Sequence, residues 1–184
     1  DWRKPIADSV AGLDSVLSDA LAEAKTIGKP VHAIVHSMGG VLIRRTFAND
    51  PTLWSTWSAQ PGDPRVIMLG TPNKGSHAVT LLLTGRDKFF RQLAFLDLRH
   101  SQAELLKTAI QFQGVLELLP VDPNENGNEI RQAQTWTSYK AGDAAADWPT
   151  PPADVLAQSR TVWDDLAVHD PLIGDERLIY VAGM

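Results

Sequence analysis

The sequence contains no cysteine, which excludes disulfides, thiolate metal sites and a cysteine nucleophile and leaves the compartment open. It also lacks an apolar run of the roughly 20 residues that cross a bilayer, so no transmembrane segment is expected. Neither charge sign dominates, since 17 Lys and Arg are interspersed with 22 Asp and Glu for a net charge of -5. Nucleic acid and anionic membrane surfaces are therefore not expected as partners. What remains is 184 residues of ordinary globular composition.

Apolar periodicity predicts alternating helices and strands. Residues 9–25 have helical spacing, with Asp8 or Ser9 as the N-cap and Gly28 as the stop, and residues 38–48 have it again. Short β-branched runs at 31–35, 65–69 and 177–182 are typical of buried strands. Strands separated by helical connections predict an α/β fold, with a parallel sheet covered by helices on both faces. Active sites of such sheets lie beyond the carboxyl ends of the strands.

The stretch between the second and third predicted strands is about 100 residues long, far above an ordinary connection. It is therefore expected to carry structure of its own, with helices at 89–98 and 102–112 and mobile loops at 122–128 and 141–152. We expect three parts: a core with the strand-to-helix turn over residues 1–76, a helical cap inserted over 77–175, and a returning core strand over 176–184.

Ser37 stands where the first predicted strand turns into a helix. Such a turn lifts a serine side chain above the sheet and aims the next backbone N–H, that of Met38, at the position of a developing oxyanion. Small residues must follow the serine, and Gly39 and Gly40 satisfy this demand. The usual pattern is G-x-S-x-G, whereas Val35 occupies the first glycine position here. Ser37 is thus predicted to be a nucleophile; an ordinary serine in a tight turn is the alternative.

Further motifs flank this turn, and they occur in the order seen in one group of enzymes. They are Asp1-Trp2-Arg3, Gly28-Lys29-Pro30-Val31, His36-Ser37-Met38-Gly39-Gly40, Gly70-Thr71-Pro72-Asn73-Lys74-Gly75-Ser76, Leu118-Leu119-Pro120 and Tyr180-Val181-Ala182-Gly183. The chain resembles α/β-hydrolase-fold lipases and esterases, in particular the lecithin:cholesterol acyltransferase-like group, most firmly over residues 1–76. The resemblance implies a Ser-His-Asp hydrolase or acyltransferase that acts on lipid or other carboxylic esters beneath a helical cap. No metal or other cofactor is expected.

The rest of the catalytic machinery is expected outside these residues. In the family the acid and the histidine follow later strands, so both should lie beyond residue 184, and the second oxyanion donor should lie before residue 1. The rest of the same polypeptide is therefore expected to complete the fold. Asp170 and Asp175 precede the third predicted strand, so they are expected at its amino end, about 20 Å from Ser37.

The five histidines are each weighed as a possible base. His32 is expected in the core, because it lies within a strand, and His36 is expected to line the acyl pocket. His77 is expected to be structural or at the rim of the site, and His100 and His169 are expected on the surface. The alternative function is a non-catalytic binding or scaffold domain, favoured by Val35 and the missing triad partners. A protease or thioesterase on the same fold differs in substrate only.

Overall fold

The computed structural model describes residues 1–121, 130–144 and 146–182, which form ten helices and three strands. In chain order these are α1 Ala7–Ile27, β1 Ala33–His36, α2 Met38–Asn49, α3 Pro51–Ser58, β2 Val66–Leu69, α4 His77–Leu83, α5 Lys88–Leu96, α6 Gln102–Ala109, α7 Gln113–Glu117, α8 Ala133–Ala141, α9 Ala153–Gln158, α10 Thr161–His169 and β3 Leu178–Val181. The predicted loop at 122–128 lies outside the described residues.

The three strands form one parallel sheet in the order β1-β2-β3. Ala33 pairs with Val66, and Val66 pairs in turn with Leu178. Because parallel neighbours need a crossover, helices occupy both connections, α2 and α3 the first and α4 to α10 the second. The predicted parallel α/β arrangement is therefore confirmed at this level.

Helix α1 follows the predicted apolar stripe but starts earlier. Its buried side chains recur at helical spacing, and it ends at Gly28, whose φ of 66° is in the left-handed region and whose N–H bonds to the Ala24 carbonyl. The predicted N-cap is wrong, because the cap position is Ile6, which makes no side-chain capping bond. Asp8 instead lies in the first turn, where its negative charge interacts favourably with the positive end of the helix dipole.

One face of the sheet carries the core of this region. Trp57 is fully buried there, and its indole N–H donates to the Val31 carbonyl at 3.0 Å. Helices α1, α2 and α3 supply most of the apolar cluster, whose buried members are Leu17, Leu21, Ile43, Phe47, Leu53, Trp57, Val66, Met68 and Leu172. This layer positions the carboxyl end of β1 and the start of α2.

The opposite face of the sheet is open. Ile34, Ile67 and Ile179 form one row across the three strands, and Ile34 is 70% exposed. A second row runs through His36, Leu69 and Val181, all of them exposed. The members of these rows are exposed except for the half-buried Ile67, and the prediction of helices on both faces stays a prediction.

The described chain divides into two compact units, residues 6–73 with 162–184 and residues 1–5 with 74–161. The second unit has its own core, in which Trp136 is fully buried and donates to the Ile130 carbonyl at 2.6 Å. Trp148 lies within the predicted mobile loop at 141–152, yet it is buried and packs edge-to-face on Trp136. The expected division at residues 76 and 175 stays a prediction.

Within the described part of the chain, no helix combines the length and apolar character that crossing a membrane requires.

Candidate active site

Ser37 is the single residue between the end of β1 and the start of α2. Its backbone has φ 52° and ψ −126°, a conformation that residues with a side chain rarely adopt. The strand pairing continues through this residue, because its N–H donates to the Leu69 carbonyl at 3.0 Å. Its own carbonyl accepts from Gly40 at 3.0 Å, which begins the helix. The chain therefore turns sharply from strand to helix at the carboxyl edge of the sheet, as the sequence predicts.

The start of α2 lies directly against the loop that follows β2. A Cβ atom built on Gly40 would be 2.5 Å from Cγ2 and 2.7 Å from Cβ of Thr71, and closer still to Oγ1. Thr71 is buried, and its carbonyl accepts from the Tyr180 hydroxyl at 2.9 Å. Only glycine fits at position 40, and it lets the helix and the loop approach within van der Waals contact.

The usual glycine position before the serine accommodates Val35 without a clash. Val35 packs against the apolar cluster on the covered face of the sheet. A Cβ atom built on Gly39 would meet only the Cβ of Val35, at 3.8 Å, which is an ordinary contact. The two methyl groups that Val35 adds at the usual glycine position therefore pack against this apolar cluster.

The backbone N–H of Met38 is available as an oxyanion donor. Met38 is the first residue of α2, where the N–H groups have no carbonyl partner within the helix. The twelve-residue helix also places the positive end of its dipole at this position. Its first turn contains no acidic residue that would repel an anion.

Arg44 connects α2 with Asp170 and with Asn73 in the loop that follows β2, and these contacts are called the Arg44 brace. The Arg44 side chain is only 7% exposed, and its Nε donates to the Asp170 carboxylate at 2.6 Å. Its Nη1 donates to the side-chain oxygen of Asn73 at 3.0 Å and reaches the Asn73 carbonyl at 3.3 Å. Gly40 and Arg44 share one face of α2, since they are four residues apart, so that this face contacts the loop at Thr71 and again at Asn73.

Asp170 is the buried partner of Arg44. Its carboxylate accepts from the same guanidinium that reaches Asn73. Its expected distance from Ser37 stays a prediction. The other Asp170 oxygen accepts from the Leu172 N–H at 3.0 Å. This carboxylate is therefore engaged in holding the fold together.

None of the five histidines, all of which lie within the described residues, forms a hydrogen bond with the Ser37 hydroxyl. His32 is exposed, with Nδ1 facing the Arg65 N–H at 3.1 Å, so its predicted place in the core is wrong. His36 is exposed on the open face of the sheet, and its role in substrate binding stays a prediction. His77 is the exposed first residue of α4. No described residue forms a hydrogen bond with the Ser37 hydroxyl.

The described residues contain no group of three or more metal-ligating side chains that could hold an ion.

Three residues in a short segment that follows α5 have displaced pKa values. The hydrogen bond from His100 Nδ1 to the Asp97 carboxylate, at 2.9 Å, raises the pKa of His100 above 6.5, and the Asp97 charge acts in the same direction. The Arg99 N–H is the main cause that lowers the pKa of Asp97 below 3.8, and the His100 bond adds to it. The capping bonds from Ser101 lower the pKa of Glu104. This segment is electrostatically coupled but exposed.

Replacing Asp97 with asparagine should move the pKa of His100 back down towards 6.5, because the partner of the charged imidazole is lost. The bond stabilises the protein fully where His100 is charged and Asp97 is ionised. This stabilisation is lost as the pH rises from the unfolded pKa of His100 through its raised folded value. It is also lost at low pH, as the pH falls through the lowered pKa of Asp97. Imidazole NMR titration measures the shift, with Asp87→Asn as the control. An unchanged His100 titration in Asp97→Asn would contradict the assignment.

Sequence reasoning predicted the turn at Ser37 but missed the contacts that Arg44 makes with Asn73 and Asp170; the roles of Ser37 and Met38 stay predictions. The sequence did contain a pattern that indicates these contacts, because Arg44 lies at helical spacing from Gly40 and Phe47 on a face of α2 that is otherwise apolar. A basic residue on a buried face requires a partner, which made Arg44 a candidate for a structural ion pair. The sequence could not identify that partner, since Asp170 lies 126 positions away.

Comparisons with protein-family models, with curated proteins and with solved structures found no match for this chain.

Proposed function

We propose that this protein is a serine hydrolase of the α/β-hydrolase type, which cleaves carboxylic esters through an acyl-enzyme. The observation that carries the proposal is the backbone of Ser37, with φ 52° and ψ −126° between a parallel strand and a helix. A serine retains such a conformation only where the surrounding structure compensates for its cost, and such residues cluster at active sites. The motif resemblance to lecithin:cholesterol acyltransferase-like lipases supports the same reaction class.

The proposed chemistry begins with attack of Ser37 Oγ on the ester carbonyl carbon. A general base accepts the hydroxyl proton, and the Met38 N–H stabilises the negative charge that develops on the carbonyl oxygen. The tetrahedral intermediate collapses, the C–O bond to the alcohol breaks, and the base returns the proton to that alcohol. Water or a second alcohol then gives its proton to the base and attacks the acyl carbon; the bond to Ser37 Oγ breaks, the base returns the proton to Oγ, and the acid or a new ester is released. A single oxyanion donor of this kind contributes about 10²–10³ in rate.

The base and acid of this mechanism are proposed to come from further residues of the same polypeptide. The open face of the sheet supports this part of the proposal. Parallel sheets are covered on both faces, whereas Ile34 and Ile179 here are exposed. A longer chain would cover this face with helices, and the strands that those helices connect would pair beside β1 or β3, with the loops that carry the missing side chains at their carboxyl ends.

A fluorophosphonate probe tests the assignment, because it phosphonylates only an activated serine. We expect one adduct on the full-length polypeptide, located at Ser37 by peptide mass spectrometry, and no adduct on Ser37→Ala. Ser76→Ala is the matched control, since Ser76 also precedes a helix after a strand but has an ordinary backbone with φ −143°. It should be labelled like the wild type. Undiminished labelling of Ser37→Ala would refute the proposal, and a panel of esters, thioesters and peptides would define the substrate.

A non-catalytic binding or scaffold domain is the second candidate. The observation that favours it is the Ser37 hydroxyl, which forms no hydrogen bond with any described residue. The same labelling experiment separates the two functions. A full-length polypeptide that melts cooperatively but neither reacts with the probe nor hydrolyses any ester would favour the scaffold.

A further inference from the structure

A cleft of the second unit is lined by helices α4 and α8 and by the segments that follow them. Its volume is about 460 Å³, within the range of about 300–1,000 Å³ that small-molecule sites occupy. Leu81 lines the cleft from α4, and Ser138 and Tyr139 line it from α8. One compact unit therefore builds a cleft of the size that a small ligand needs.

A charged pair forms one part of the cleft lining. The Arg86 guanidinium donates to the Asp143 carboxylate at 2.5 Å, and the Trp148 indole N–H faces the same oxygen at 3.4 Å. Trp148 is buried and packs edge-to-face on Trp136, so it holds the carboxylate in place. The charged groups are therefore oriented before any ligand binds, which lowers the entropic cost of binding.

Several hydroxyl groups of the cleft are unpaired within the described part of the chain. The side chains of Ser138 and Tyr139 are exposed, and their hydroxyls form no hydrogen bond with any described residue. The Thr80 hydroxyl, on the α4 side, is buried and has no partner there either. Tyr139 and Leu81, each nearly half exposed, add apolar surface beside these groups. The cleft therefore combines unused hydrogen-bonding capacity with an aromatic and an aliphatic surface.

The charges of the cleft determine which class of ligand it favours. An anionic ligand would compete with Asp143 for Arg86, and a cationic ligand would compete with Arg86 for Asp143. A wholly apolar ligand would cover the ion pair and the hydroxyls without replacing their hydrogen bonds to water, which costs free energy. A neutral ligand rich in hydroxyl groups avoids all three penalties, because a hydroxyl both donates and accepts.

We propose that this cleft binds a neutral sugar. The C–H face of the sugar ring packs on Tyr139 and Leu81, which supply an amphipathic and an apolar surface. Sugar hydroxyls donate to the Asp143 carboxylate and accept from Arg86, whose guanidinium has five N–H donors and uses one of them on Asp143. Ser138 supplies a further hydrogen bond. The proposal is independent of the chemistry at Ser37.

Saturation-transfer difference NMR with the full-length polypeptide tests this site, because the method detects weakly bound small ligands. The probes are methyl α-glucoside, methyl α-mannoside and methyl β-N-acetylglucosaminide, each at about 10 mM. We expect a signal from the ring C–H protons of at least one of them, and a titration of that probe gives its Kd. Glucuronate and glucosamine, which carry one negative and one positive charge, should bind about fivefold more weakly or worse.

Variants of the cleft separate its aromatic surface from its charged pair. Tyr139→Ser should weaken binding of the neutral probe by about tenfold, because the surface under the sugar ring is lost. Tyr139→Phe keeps the ring and should weaken binding less. Arg86→Met should weaken it by about tenfold, because hydrogen bonds from a charged donor are lost. Ser37→Ala should bind like the wild type, which keeps this result separate from the labelling experiment.

Arg3→Met and Phe95→Ser are matched controls in the same unit. Arg3 also pairs with an aspartate, Asp1, and its side chain is 57% exposed against 56% for Arg86. Phe95 is an exposed aromatic residue of α5. Both variants should bind the probe like the wild type. The proposal would be overturned if no sugar gave a signal, if the charged sugars bound as well as the neutral ones, or if Tyr139→Ser and Arg86→Met left binding unchanged.

Discussion

Arg44→Met should lower the free energy of unfolding by about 3–5 kcal/mol at neutral pH, because it leaves the Asp170 carboxylate buried without its counter-charge. Asp170 is 4% exposed and Arg44 7%, so water cannot replace the lost partner. Methionine retains most of the side-chain volume, so the effect measures the charge and its hydrogen bonds more than a cavity. Urea denaturation at constant pH gives the difference in the free energy of unfolding.

Arg45→Met is the matched control, since Arg45 is the next residue on α2 and also pairs with an aspartate, Asp165. Its side chain and that of Asp165 are 21% and 30% exposed, so we expect a loss of about 1 kcal/mol or less. Arg44→Met/Asp170→Asn should be more stable than Arg44→Met alone, because it removes the unpaired charge and keeps an acceptor for the Leu172 N–H. Equal losses for Arg44→Met and Arg45→Met would contradict the buried-pair account.

The same brace connects stability to the proposed chemistry. Arg44 holds Asn73, and Asn73 donates its N–H to the Thr71 carbonyl at 2.9 Å. Thr71 in turn lies against Gly40, and the Gly40 N–H donates to the Ser37 carbonyl about one helical turn earlier. Loosening this loop should therefore slow fluorophosphonate labelling of Arg44→Met under conditions where it remains folded.

The features of the fold that depend on a few neighbouring residues could be predicted from the sequence. The apolar spacing of α1, its stop at Gly28 and the strand-to-helix turn at Ser37 are all consequences of a few adjacent side chains. Their positions were therefore predictable to within a few residues. The start of α1 was not, because Ile6 has no capping side chain that a pattern could identify.

Long-range pairing set the limits of the sequence prediction. The apolar character of Ile34 and Ile179 was predicted, but not that both would remain exposed. His32 was assigned to the core because it lies within the predicted strand at 31–35, yet the structure begins β1 at Ala33 and the His32 ring accepts from the Arg65 N–H, 33 positions along the chain. The pairing of Asp170 with Arg44 was missed for the same reason, since the two residues are 126 positions apart. Periodicity gives the face on which a residue lies, but not the distant segment that meets that face.

Gly40→Ala should destabilise the protein by about 2–3 kcal/mol and abolish labelling of Ser37, whereas Gly39→Ala should change stability by no more than about 1 kcal/mol. Alanine favours a helix by up to about 1 kcal/mol at either position, so the helix term alone predicts stabilisation in both. Packing decides the sign at position 40, because the new methyl would lie 2.7 Å from Thr71 Cβ, an atom that no rotamer change can move. At position 39 the nearest atom is Val35 Cβ at 3.8 Å.

The collision can be relieved only if the start of α2 moves away from the loop, and that movement would carry the Met38 N–H away from the oxyanion position. Thermal and urea unfolding of both variants, with labelling at a temperature where each is folded, measures the two effects together. Gly40→Ala combined with Thr71→Gly should recover part of the labelling, because the obstructing Cβ is gone. If Gly40→Ala were as stable and as reactive as Gly39→Ala, the close approach of α2 to Thr71 would not be what orients Ser37.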